Sequence, residues 1–169
     1  MQTRPERAFD ENRPRYRWVV VVVAAVLISV LAAGNSGTAA TSYDSEELQF
    51  LGLINEYRQE RGVGALILSD TLAVAAERHS QDMGEYDFFA HNTASSSYYR
   101  VGAQPWGRMA AEGYDYNPIK GENLATGTAT AEEAFEAWRN SPSHNAAMLD
   151  GRYRVIAIAR VYAPNGNHA

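Results

Sequence analysis

Gly121-Glu122-Asn123-Leu124-Ala125 and Trp138-Arg139-Asn140-Ser141-Pro142-Ser143-His144-Asn145 decide how this chain is read. The first stretch places a carboxylate in a short extended segment opened by glycine. The second runs off a helix, breaks at Ser-Pro and presents a histidine at the start of another short helix, with Ser141 as cap and Pro142 in the first turn. Upstream, Phe88-Phe89-Ala90-His91 supplies a second imidazole just past a long helix. Two imidazoles and one carboxylate from three places in sequence are a set able to hold a divalent metal or to move protons, if the fold gathers them. His144 sits where a helix dipole disfavours the imidazolium, which keeps the ring neutral. His79 lies in an apolar helical stripe and reads as a packed core residue. His168, near the C-terminus, reads as irrelevant.

Outward from these segments, the patterning predicts an α+β domain. Asp44-Ser45-Glu46-Glu47 has the form of a helix start, followed by Leu48, Leu51, Ile54 and Tyr57 at helical spacing until Gly62 and Gly64. A second helix starts at Ser69-Asp70 and carries Leu72, Ala75, Ala76, His79 and Met83 on one stripe, ending near Asp87. A short helix over 106–112 closes at Gly113. Thr130-Ala131-Glu132-Glu133 opens the helix bearing Phe135 and Trp138. Tyr153–Ala163 alternates as a strand, with Val155, Ala157, Ala159 and Val161 facing one way and Ile156, Ile158, Arg160 and Tyr162 the other. This order predicts helices packed on a small antiparallel sheet.

The N-terminus differs from the rest. Trp18 to Ala33 is apolar apart from Ser29; it follows Arg13, Arg15 and Arg17 and precedes small residues ending at Ala40. Basic flank, apolar stretch and small-residue exit are the layout of an export signal. The expectation is a signal peptide or an N-terminal membrane anchor over 1–40, contributing nothing to the fold, and an exported domain over 41–169. Residues 1–40 carry five arginines against three acids, whereas 41–169 carry ten basic against seventeen acidic residues. An acidic exported domain makes nucleic acid a poor partner. The membrane is met only through the N-terminal segment. With no cysteine in 169 residues, disulfides, thiolate metal sites and a cysteine nucleophile are excluded. Ser143 lacks the Gly-x-Ser-x-Gly elbow of an activated serine.

In order, Ile54–Arg58, Ala76–Met83, Phe88–His91, Gly121–Ala125, Trp138–His144 and Tyr153–Ala157 resemble the CAP superfamily of cysteine-rich secretory, antigen 5 and pathogenesis-related 1 proteins, in a bacterial cysteine-free form. The resemblance spans nearly all of residues 46–163. It implies an α-β-α sandwich with an open cleft in which two histidines and two glutamates hold zinc or magnesium. His91, Glu122 and His144 match three of the four. Ser141 stands where the remaining glutamate is expected, so any Zn or Mg should be weakly bound. The resemblance also implies a return strand after Tyr153–Ala163, whereas this chain stops at Ala169 after Asn165-Gly166-Asn167. The expectation is that the return strand is lacking and leaves an open edge. Three functions stay open: a cleft binding an envelope component, lipid or other small molecule; a metal-dependent hydrolase of peptides or wall components; and a structural surface protein with a vestigial cleft.

Overall fold

The computed structural model of the chain describes residues 16–23, 42–115 and 118–163. The expected cleavage positions around Ala40, most of the apolar run, the Asn165-Gly166-Asn167 turn and His168 lie outside the described residues. Strand β1 (Tyr16–Val23) comes first, then α1 (Ser45–Glu60), β2 (Ile67–Leu68), α2 (Asp70–Glu85), α3 (Pro105–Ala111), β3 (Lys120–Thr128), α4 (Ala131–Arg139), α5 (Pro142–Met148) and β4 (Val155–Tyr162).

The helices start where the sequence says they should. Asp44 and Glu47 exchange side-chain and backbone hydrogen bonds in a complete capping box on α1. At α4 the Thr130 side chain accepts from Glu133 N, but Glu133 Oε2 accepts from Ala129 N rather than from the cap residue. On α1 the stripe is rotated from the predicted one. Phe50, Ile54 and Tyr57 are buried, whereas Leu48 is half exposed.

The sheet has the order β2-β4-β1-β3. β1 is antiparallel to both neighbours, running from Tyr16↔Tyr162 to Val23↔Val155 against β4 and from Tyr16↔Thr128 to Val23↔Lys120 against β3. The two-residue β2 is parallel to β4, so the sheet is mixed rather than wholly antiparallel. Two expectations are corrected here. Residues 16–23 do contribute to the fold, and β4 is an interior strand rather than an open edge. The physical reason lies in Val19–Val23: a β-branched run suits a strand as well as it suits an export segment, and hydropathy alone does not separate the two. Arg17 ties β1 to the end of α2, donating to Phe88 O at 2.7 Å and to Asp87 Oδ1 at 3.0 Å. Among the described residues no helix is long and apolar enough to cross a membrane.

The predicted alternation of β4 splits two cores. Ile156 and Ile158 join Trp18, Phe50, Ile54, Phe135 and Trp138 under α1 and α4. Ala157 and Ala159 join Leu72, Ala76, Met83 and Met109 under α2 and α3. Helices therefore cover both faces of the sheet, an α-β-α sandwich. Buried Arg58 holds the loop after α1 through the carbonyl of Gly64 and fastens α1 to the α5–β4 connection through those of Met148, Asp150 and Tyr153.

Candidate functional site: a buried Arg–Glu pair beneath a histidine

Glu122 enters the site from β3. It follows Gly121, where an added Cβ would stand 2.5 Å from the Tyr153 hydroxyl, so any larger residue would have to push that ring aside. The Glu122 side chain is almost wholly buried, and both its oxygens are engaged. Oε2 accepts from Arg108 Nη2 at 2.7 Å, and Oε1 accepts from His91 Nδ1 at 2.9 Å. Arg108, on α3, is itself buried and spends Nη1 on the carbonyls of His91 (2.7 Å) and Ala103 (3.1 Å) and on Thr93 Oγ1 (3.3 Å). One guanidinium thus ties the carboxylate and folds the loop after α2 around it. The His91 side chain remains 53% exposed over the buried pair.

His144 reaches the same region from α5. Asn123, next to Glu122, donates its amide to His144 O at 3.2 Å, and the His144 ring lies 6.2 Å from that of Trp138. Trp138 Nε1 in turn donates to Leu124 O at 2.9 Å, which pins α4 to β3. Burial lowers the His144 pKa below the ordinary imidazole value, and the His91 charge lowers it further. The expected Ser141 cap is not made by its side chain.

His79 is buried, as its stripe predicts, and its Nε2 donates to Ala90 O at 2.9 Å, leaving Nδ1 without a partner. Its pKa is pushed down to about 4, first by burial and then by Arg108. It packs beneath the His91 segment and supports it.

The residue missed by sequence reasoning is Arg108. A lone arginine on a seven-residue helix reads as surface, and no motif marks it. Its presence bears on the metal implied by the resemblance. One Glu122 oxygen is held by a guanidinium and the other by an imidazole, and among the described residues no three His, Asp or Glu side chains are grouped so as to hold a metal ion. The donor set as arranged does not fit Zn or Mg. What it does hold is a carboxylate paired with a guanidinium and orienting one imidazole, an arrangement able to bind a polar group or shuttle a proton.

Residues 51–168 match the family described as the cysteine-rich secretory protein family, CAP. The chain belongs to that family. It is 32% identical over 124 residues to the uncharacterized protein YkwD of Bacillus subtilis (strain 168), covering 73% of this chain and 46% of that protein. It is 29% identical over 153 residues to the uncharacterized membrane protein YlbC of the same organism, covering 90% of this chain and 42% of that protein. The chain thus spans less than half the length of these curated relatives. Among solved structures, an extracellular protein containing a SCP domain from Bacillus anthracis str. Ames superposes with a TM-score of 0.59 at 19% identity, over 70% of this chain and 40% of that one. An outer surface protein from Borrelia burgdorferi gives 0.58 at 22% identity, over 73% of this chain and 97% of that one. These likenesses carry the fold.

Proposed function

We propose that this CAP domain works outside the cytoplasm and binds an envelope component, lipid or other small molecule at the His91–Glu122–His144 cleft. The observation that carries the reading is the buried Arg108–Glu122 pair holding a half-exposed His91 in one orientation. Burying an ion pair is costly unless its hydrogen bonds are filled, and here they are filled so as to present one polar ring to solvent. The location is supported by the arginine-flanked apolar run and by the extracellular and outer-surface descriptions of the similar structures. In any one molecule Tyr16–Val23 is either part of the sheet or removed or held in a bilayer. N-terminal sequencing of the exported protein shows whether the segment is removed, and membrane fractionation separates a strand in the sheet from a segment held in a bilayer.

The binding test is a nuclear magnetic resonance titration of the full chain with envelope lipid micelles, wall saccharides and short peptides. One class should move the His91 and His144 ring signals saturably, and His91→Ala should abolish the response. No movement with any class leaves the vestigial, structural reading. The hydrolase reading gains one point from the oriented His91–Glu122 pair. Chelator-sensitive hydrolysis of a peptide and glycan panel would favour it over binding alone.

A further inference from the structure

A cavity of about 630 Å3 is lined by Tyr98, Tyr99, Arg100, Gln104 and Trp106 and contains none of His91, Glu122 or His144. Its size is that of a small-molecule site. Three features set it apart from incidental surface. Its aromatic rings are exposed, Tyr98 at 47% and Trp106 at 51%, although large apolar rings normally turn inward. Those rings are also fixed. The Tyr98 hydroxyl donates to Gln81 Oε1 at 3.0 Å, the Tyr99 hydroxyl to Glu112 Oε1 at 2.7 Å, and Trp106 Nε1 to Gln104 Oε1. Arg78 stacks over the Tyr98 ring at 4.9 Å and is itself paired with Glu112. Finally, the loop carrying them is tied at both ends. Ser96 Oγ accepts from Tyr98 N and Tyr99 N at 2.8 Å, Gly102 N donates to Thr93 O at 2.7 Å, and Ala103 N donates to Arg100 O at 3.1 Å. Gly102, at φ +80, makes that last turn possible. Fixed rings lose little entropy when a ligand lies on them.

Arg100 supplies the chemistry. It is exposed on the cavity rim, and its side chain makes no hydrogen bond or ion pair among the described residues, in a domain with an excess of acids. Flat aromatic faces suit the C–H faces of a sugar ring, Gln104 and the backbone suit its hydroxyls, and a free guanidinium suits an anionic substituent. The lining has little of the aliphatic surface that an acyl chain would need. We propose that this cavity is a binding subsite for a saccharide carrying a carboxylate, separate from the His91–Glu122–His144 cleft and independent of what that cleft binds.

The test compares N-acetylmuramic acid with N-acetylglucosamine, which share a ring and differ in a lactyl carboxylate. Of the three tryptophans, Trp18 and Trp138 are buried and Trp106 is exposed, so fluorescence of the full chain reports on this cavity. Both sugars should give a saturable change, the acid roughly threefold to fivefold more tightly, as one exposed ion pair allows. By calorimetry, Trp106→Ala should lose both sugars. Arg100→Gln, at a side chain with no partner to lose, should bring the acid to the affinity of the neutral sugar. The proposal is overturned by no saturable response to either sugar at millimolar concentrations, by an unchanged preference in Arg100→Gln, or by unchanged binding in Trp106→Ala. A carboxylate-bearing peptide that binds more tightly than both sugars would overturn it in favour of a peptide site.

Discussion

Arg108 and Glu122 meet at 2.7 Å with 1% and 3% of their side chains exposed, so neither charge has water to fall back on. Removing the cation strands a buried carboxylate and releases the carbonyls of His91 and Ala103. Arg108→Leu should therefore cost about 3–5 kcal/mol in urea unfolding. Glu122→Gln should cost less, because Arg108 keeps three other acceptors. Equal losses for the two variants would show that the pair, rather than the loop it ties, carries the stability.

Trp18 is fully buried between the sheet and α1, its ring 6.0 Å from that of Phe50. Truncating such a side chain leaves a large void, so Trp18→Ala in the full chain should cost about 3–5 kcal/mol. A form beginning at Thr41 should melt lower and show a weaker strand signal in circular dichroism than the full chain. Identical melting of the two forms would remove β1 from the folded domain.

His79 is held neutral, with its pKa at about 4 against an ordinary value near 6.5. The unfolded chain takes up this proton before the folded one does. The stability His79 confers is therefore complete above about pH 6.5 and is lost as pH falls toward 4, by about 3 kcal/mol in all. Glu47 and Asp82, whose pKa values burial raises, act in the opposite sense, so the ring resonances of His79 are the direct readout. A ring that titrates above pH 6 would contradict its burial.

Zinc must compete with Arg108 and His91 for Glu122. Calorimetry at neutral pH should show only weak, reversible binding, which Ser141→Glu tightens by adding a carboxylate at the head of α5. Stoichiometric, tight zinc in the unaltered chain would mean that Glu122 leaves Arg108 when the ion arrives. Equal affinities would mean that position 141 faces away from it.

Long periodic segments were legible. The α2 stripe from Leu72 to Met83 and the β4 alternation emerge as predicted, because a helix face must be apolar to pack on the sheet and the two faces of β4 are each buried in a core. The ordered motifs, through the family resemblance, led to the expectation that His91 and Glu122 lie near one another as ligands of one ion; their direct hydrogen bond was not legible. Arg108 was not legible, since a charged side chain carries no periodic mark of burial and its partners come from the loop after α2 and from β3. The sheet order was not legible either. Five successive valines satisfy a strand and an export segment equally, and two-residue β2 is set in place by Asn55, whose amide exchanges hydrogen bonds with Leu66 N and O at 2.8 and 3.0 Å.

The position of β1 has a kinetic consequence. Among the described strands the first in sequence lies between two of the last, with Tyr16 opposite both Thr128 and Tyr162. Such pairings are strongly non-local, and closing long loops slows folding. On a growing chain the valine run has no strand to pair with until β3 has been made, and its second edge waits for β4. Folding should therefore be slow and late, and the waiting segment is the point at which a partly made chain is most exposed to aggregation or to capture by a chaperone.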